Sequence, residues 1–507
     1  ARVKDASIRE KLLADIAGVT GSIVRRSAPE RALPFLSEAI AFQERAGRSV
    51  LLPQLHLERG RAYRGANRLK EAEREFDHGI RLLETQRVRT RDPELRGSIF
   101  DDSGDLFREA VAAAVARGDG RAALQYVERG RARTMAEEMA SEARSDVAVP
   151  SLLDAASLAD RLPDDGLLLE FVMLEEELII LIVDRSGLAV TRVPVRRDLI
   201  ERSVGEFREA VIDRRPLDEL RPLATRLFSW LLAPVGNRFE RARSLVIVPD
   251  AILEQIPFAA LVDPGNGKYL VQTHLMVVSP SVAVYLLCTD RSEDKPAVLQ
   301  PTAAIFANPV LDASFTALSS LPAAEREGER VASLYAERLF LRGTEAAHDR
   351  FTSSADAYDV IHFAGHTVIM PAQPWHSALL LGPGRNDNGV LSVREISGLS
   401  FRRTRLVVLA SCSTSQGEKS DVEGTSSIAR AFLIAGVPSV LSTLWDVEDE
   451  ETGTLVAMVH RRYVSGDAPE EALRAAQLHA LQSDSPEKRH PASWSVFAMI
   501  GGRSARR

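Results

Sequence analysis

From residue 296 onward, short apolar runs alternate with helix-length amphipathic segments, and this alternation constrains the fold more than any other feature of the chain. AAIFANP, ERLFLRG, YDVIHFAGH, the stretch from Arg405 to Ser411 and PSVLSTLWD read as strands. Between them, EREGERVASLYA, the segment around EAAHDRFTSSA and SSIARAFLIAG read as helices. Strands and helices alternating at this length predict a mostly parallel sheet covered on both faces. In such sheets functional residues collect at the carboxyl ends of the strands.

Upstream the texture differs. Residues 1–145 read as helix after helix, with few β-branched runs. In HLERGRAYRGANRLKEAEREFDHGIRLLE, Gly60 and Tyr63 fall on one helix and Ala72, Phe76 and Gly79 on the next. Small residues at these spacings let two antiparallel helices approach, with Tyr63 and Phe76 expected to fill the space between them. The same small–large–small spacing recurs at Ala32, Leu36 and Ala39 and at Ala123, Val127 and Gly130, a period near 40 residues. A plain helical bundle is the alternative. Stacked pairs would make a concave groove suited to a peptide or partner. Residues 146–295 open with LLLEFVML, LIILIVD and LAVTRVPV, three successive strands, followed by helices and the strand SLVIVPD. The charged segment CTDRSEDKPAVLQPT (288–302) reads as a connector. The predicted organisation is therefore a helical-repeat part (1–145), a first α/β part (146–295) and a second (296–507).

At 507 residues the chain exceeds a single hydrophobic core. With 45% hydrophobic and 27% charged residues it has the composition of an ordinary soluble globular protein. A net charge of −7 and a pI near 5.9 argue against direct nucleic-acid binding or an anionic membrane surface as the main partner. The longest apolar stretch, Leu167 to Val183, carries several carboxylates and does not read as a membrane span. Two cysteines, Cys288 and Cys412, exclude a disulfide framework or a multi-cysteine zinc site and fit a reducing, cytoplasmic setting. The first residues lack a methionine and lead into polar helix, so residue 1 is expected to lie inside a longer chain, and no signal peptide is visible.

Two strand ends stand out. YDVIHF runs into Ala364-Gly365-His366, and RLVVLA runs into Ser411-Cys412-Ser413. A thiol needs a base to become a thiolate near neutral pH, and imidazole has a suitable pKa. The amide of Cys412, with that of Gly365 or Thr367, could donate to an oxyanion. A cysteine at the end of a buried strand is also often a small core hydrophobe. His362, four residues before His366, reads as a structural histidine, and Cys288, in the run YLLC, as inert packing. No GxSxG, HExxH or GxxxxGK[ST] motif occurs.

The residues around these strand ends, HFAGH, SALLLGP (377–383), LVVLASCSTSQG and EGTSSIARAFLIAGVPSVLSTLWDVEDEET, resemble the CHAT family. So do ALRAAQLHAL and HPASWSVFAMIGG near the end, and VERGRARTM, LVIVPDAILEQIPFAALVD and YLVQTHLMVVSPS upstream. The resemblance runs over roughly residues 123 to 502, and the N-terminal helices resemble tetratricopeptide repeats, with which CHAT domains are commonly fused. It implies an α/β caspase-like domain with a strand-rich pseudo-caspase part before it, grouped with caspases, separases and gingipains. Carried over, His366 matches the family's histidine and Cys412 its cysteine nucleophile. Many relatives have Gly after the histidine where Thr367 stands here, which is expected to put a side chain at the border of the site. LWDVED (444–449) resembles the separase version of this segment, which implies Asp446 in a pocket for a basic P1 side chain; the alternative is that Asp446 and the acids after it form a helix start.

What the resemblance implies is a cysteine endopeptidase acting on a protein substrate, with no metal or organic cofactor. Its regulation would run through a partner protein bound by the repeats. Relatives of this architecture act in bacterial defence, on gasdermin-like substrates or beside CRISPR systems. The polar, Gly/Ser-rich segment 413–427 is expected to be a mobile loop at the pocket. The alternative reading is a non-proteolytic repeat scaffold that uses the caspase-like fold for protein binding.

Overall fold

The computed structural model describes residues 6–89, 104–131, 133–142, 155–315, 317–354, 356–370, 373–385, 387–413, 423–445 and 450–504. The chain divides into two compact units, Ala1–Thr134 and Met135–Arg507.

The first unit is helical throughout its described residues: Ala6–Val24, Pro29–Arg45, Leu52–Gly65, Leu69–Arg89, Gly104–Ala116 and Gly120–Gly130. Each helix packs on the next. Glycines set the close approaches. Gly60 lies so near the ring of Phe76 that a Cβ there would overlap it, and Gly130 meets Phe107 and Gly21 meets Leu36 in the same way. Phe76, Ala32, Leu36 and Ala123 are fully buried. Three of the turns repeat one device. Gly47, Asn67 and Gly118 adopt φ of 63°, 58° and 81°. The next amide then reaches back five residues: Arg48 N to Gln43 O (2.9 Å), Arg68 N to Tyr63 O (2.8 Å) and Asp119 N to Ala114 O (2.9 Å). This is the Schellman stop, which satisfies helix-end carbonyls at a left-handed residue. Tyr63 differs from expectation. It is half-buried and lies under the Arg68 guanidinium, 4.5 Å from the ring centroid, while its neighbour Ala62 occupies the buried face. The first helix is inverted: Ala14 and Ala17 are buried, whereas Ile8, Leu12, Ile16, Val19 and Ile23 are exposed.

Among its described residues, the second unit is built on one mixed sheet of thirteen strands. These are β1 (Gly166–Met173), β2 (Leu178–Asp184), β3 (Gly187–Val193), β4 (Ser244–Val248), β5 (Leu275–Val278), β6 (Ala303–Pro309), β7 (Arg338–Gly343), β8 (Val360–Val368), β9 (Ala378–Leu380), β10 (Val390–Ser392), β11 (Leu406–Ser413), β12 (Ser439–Thr443) and β13 (Phe497–Gly501). Their order is β10-β9-β8-β11-β12-β13-β5-β4-β1-β2-β3, with β6 pairing β8 and β7. β7, β6, β8, β11 and β12 run parallel to one another, while β9 is antiparallel to β8. β13 is antiparallel to β12 and parallel to β5, so this short last strand joins two blocks into one sheet. The helix Pro322–Ala332 covers β6, β7 and β8, and Pro469–Leu481 covers β5 and β13.

One boundary differs from the sequence reading. Cys288 belongs to the helix Val282–Asp294, so the connector begins only at Lys295. That helix buries all of its first eight residues, which the charged tail of the segment obscured.

Candidate active site

β8 and β11 carry the two residues singled out above. β8 is an apolar strand whose first eight residues are buried, and β11 pairs with it in parallel from Leu406↔Val360 to Ser413↔Thr367. In that register Cys412 stands opposite His366. Neighbouring strands lie about 4.8 Å apart, so the two residues are adjacent across the strand pair. Both residues lie within the last three residues of their strands rather than just past them, since β8 continues to Val368 and β11 to Ser413.

The other edge of β8 is divided. β6 pairs with Val360–Ala364, and β9 pairs with Thr367 and Val368. Between these partners the sheet opens at Gly365 and His366. β6 leaves through a register shift at Asn308, whose φ is 46°. Gly365 fits this opening because a Cβ there would press on Pro309 and on the ring of Phe363.

His366 is buried, and its Nε2 lies 2.8 Å from the carbonyl oxygen of Ser319. A carbonyl only accepts, so Nε2 carries the hydrogen and donates it. In the neutral ring Nδ1 then holds the lone pair, and it is buried without a hydrogen-bond partner among the described residues. The Ser319 loop is itself held. Asn308 accepts from the Leu321 amide (2.8 Å) and exchanges bonds with the Ser320 hydroxyl at 3.1 and 3.2 Å. Asn308 also donates to Glu325 at 3.2 Å, tying the loop to the helix Pro322–Ala332. Neither Ser319 nor Asn308 drew attention in the sequence. The available signal was an Asn-Pro pair at a strand end, a turn-forming dipeptide.

Thr367 is buried and in register with Leu379 of β9. Side chains alternate along a strand, so Thr367 and His366 project to opposite faces, and the threonine side chain does not border the imidazole as expected. Gly365 and Thr367 flank His366 within β8, on the strand beside Cys412. Asp446 and the segment 446–449 lie outside the described residues, as does most of the 413–427 loop; Leu444 and Trp445, just before, are buried.

His362 is fully buried on β8 beneath the site. Its Nδ1 lies 3.2 Å from His460 Nε2 and its Nε2 3.1 Å from Glu327 Oε1. His460 Nδ1 in turn lies 2.7 Å from the Tyr335 hydroxyl. Burial, with the neighbouring His362 adding to it, holds the His460 pKa well below the usual imidazole range. Cys288 is fully buried, and burial pushes its thiol up to about 12. Among the described residues no group of three or more His, Cys, Asp or Glu side chains could hold a metal ion. No described helix is long and apolar enough to cross a membrane.

Comparison with known proteins agrees with this architecture. Residues 221–502 match the CHAT domain family. Tetratricopeptide repeat protein 28 of Homo sapiens is 24% identical over 343 aligned residues, covering 57% of this chain and 13% of that protein. The Mus musculus protein of the same name is 25% identical over 342, covering 57% and 14%. The chain thus spans about a seventh of the length of these relatives. Among solved structures, the separase–securin complex of Saccharomyces cerevisiae aligns with a TM-score of 0.51 at 8% identity, over 99% of this chain and 48% of that one. A helical N-terminal region followed by a caspase-like α/β sheet unit is the fold they share. With the family match covering more than half of its residues, the chain belongs to the CHAT domain family.

Proposed function

We propose that this CHAT protein is a cysteine endopeptidase in which Cys412 is the nucleophile and His366 the general base. The observation that carries the reading is the polarity of the His366 ring. Nε2 is spent on Ser319, which leaves the basic Nδ1 buried and unpartnered on the strand that pairs Cys412 in register.

In this scheme Nδ1 takes the thiol proton, and the thiolate adds to the scissile carbonyl. The Cys412 amide, with that of Gly365 or Thr367, stabilises the oxyanion. Collapse breaks the C–N bond, and the imidazolium returns its proton to the departing amine. Water then attacks the thioester, giving its proton to Nδ1, and the restored thiol leaves an acid product. Every proton is handled by one ring nitrogen, so the fixed tautomer is the working part.

We assign the chemistry to residues 296–507, structural support to 146–295 and regulation by a partner protein to the repeats of 1–145. Asp446 is assigned to a pocket for a basic P1 side chain, and the substrate to a protein of a bacterial defence or signalling pathway. The competing reading, a scaffold without proteolysis, draws on the relatives named for their repeats. Mapping new protein N-termini in a cell lysate treated with wild type or Cys412→Ala separates the two. Cleavages seen only with wild type support the peptidase; identical profiles favour the scaffold.

A further inference from the structure

A second site of interest lies where the starts of β4 and β5 meet the helix Pro469–Leu481. A cavity of about 410 Å³ opens there, within the size range of small-molecule pockets. None of its lining residues belongs to β8 or β11 or to the Ser319 loop. It is lined chiefly by ionisable groups, and no aromatic ring faces it.

Three arginines on its wall, Arg243, Arg474 and Arg503, are not paired with any described carboxylate. Arg474 spends its guanidinium on the carbonyls of Val271 (2.9 Å) and Gln272 (3.1 Å), and Arg243 on that of Ala242 (3.3 Å). Burial without a compensating acid lowers the Arg474 pKa. The fourth arginine, Arg462, is already satisfied by Asp467 at 2.6 Å.

Facing them is Glu470, 2% exposed. Its Oε1 accepts from the Ser504 amide at 3.1 Å, while Oε2 is buried with no partner. Burial pushes this carboxyl up to about 7. An unsatisfied buried carboxylate oxygen is costly, and its retention at a cavity wall calls for a donor. Glu470 and Arg474 are one turn apart on the same helix face, a spacing that normally pairs them. They do not pair here, because Arg474 donates instead to the Val271 and Gln272 carbonyls, and both residues line the cavity. Asp165 and Glu471 also line the cavity, so the wall presents both signs and is poorly suited to a simple polyanion.

We propose that this cavity binds a zwitterionic small molecule of the α-amino-acid class, its carboxylate facing Arg474 and Arg503 and its ammonium facing Glu470. The Arg503 guanidinium, together with Nη1 of Arg474, suits the carboxylate, and Glu470 Oε2 gains the donor it lacks.

The test is thermal-shift and calorimetric titration of the full chain with each L-amino acid, its amide, its N-acetyl derivative, succinate and inorganic phosphate. At least one free amino acid is expected to bind saturably, with the amide and the N-acetyl form each at least tenfold weaker. Glu470→Gln and the exposed Arg503→Gln are each expected to weaken that binding at least tenfold. Arg503→Gln keeps the test valid if Glu470→Gln misfolds. Failure of every amino acid to bind, binding unchanged in Arg503→Gln, or succinate or phosphate binding as tightly as the best amino acid would each overturn the assignment.

Discussion

His366 donates its Nε2 hydrogen to the main-chain carbonyl of Ser319 across 2.8 Å, so a loop 47 residues earlier sets the orientation of a side chain on β8. The acceptor is backbone, which makes the serine side chain expendable. Ser319→Ala is expected to keep wild-type activity. Asn308, which holds the loop, is not expendable in this sense. Asn308→Gly tolerates the left-handed φ of 46° while removing the side-chain bonds to Ser320 and Leu321. Peptidase assays on the two variants should show a kcat fall of up to about 100-fold for Asn308→Gly, with KM little changed, because small misplacements of a base are costly. Loss of activity in Ser319→Ala with full activity in Asn308→Gly would contradict this support.

The strand ends that carry His366 and Cys412 were legible because an apolar run followed at once by a polar residue is a local pattern. The parallel block β7-β6-β8-β11-β12 was legible for the same reason, whereas the antiparallel strands β9 and β10 beside it were not. Ser319 was not, because any residue offers a carbonyl and only the folded loop brings this one to the imidazole. Tyr63 was misplaced because spacing fixes which residues share a helix face but not which face is turned inward. The joining of two strand blocks through β13 depends on pairing Ile500 with Val278, a contact between distant segments that no local period reveals. The family resemblance put a Thr367 side chain at the border of the site, where many relatives have Gly; strand alternation sends it to the face opposite His366.

Asp359 anchors the starts of β6, β8 and β11, and its stability contribution depends on pH. It is fully buried and accepts from the Thr302 amide (2.8 Å), the Thr302 hydroxyl (2.9 Å) and Arg403 (3.2 Å). Burial alone would raise its pKa, but the bonds from Arg403 and Thr302 outweigh it and hold the carboxyl below the usual range. A depressed folded pKa contributes stability that is present above the unfolded value near 3.9 and lost as pH falls through the folded one. Chemical denaturation should show Asp359→Asn less stable by about 1–3 kcal/mol at pH 7, the difference shrinking below about pH 4. A pH-independent difference would contradict the assignment.

His362 supports the sheet rather than the chemistry. Replacing it with alanine strips a neighbour from His460 and from Glu327, both buried. His362→Ala should lose about 2–4 kcal/mol in urea unfolding, from the unsatisfied groups and the cavity left behind. At low temperature, where it remains folded, its reaction with a peptidyl electrophile should stay within about threefold of wild type, which corresponds to less than 1 kcal/mol. Unchanged stability together with abolished reactivity would move His362 into the active site.

Asp446 is the most exacting assignment. A carboxylate at a pocket floor is desolvated and recovers that cost only when a cation pairs with it. Neutral P1 side chains should therefore be disfavoured by roughly 2–5 kcal/mol, the range for breaking a buried charge pair. A peptide library varied at P1 should show wild type cutting after Arg or Lys and Asp446→Asn losing that preference. A preference for Leu or Asp in wild type, or an identical profile in the mutant, would return Asp446 to a helix start.

The measurement closest to the central claim is the rate at which a peptidyl electrophile labels each cysteine, read by mass spectrometry on wild type and His366→Ala. Cys288 is fully buried with its thiol pushed up to about 12, so it should stay silent in the folded protein. Cys412 should be labelled in wild type and about 10²–10⁴-fold more slowly in His366→Ala, the usual worth of a positioned general base. Labelling of Cys412 at the same rate in both proteins, or no labelling of Cys412 in folded wild type, would contradict the dyad.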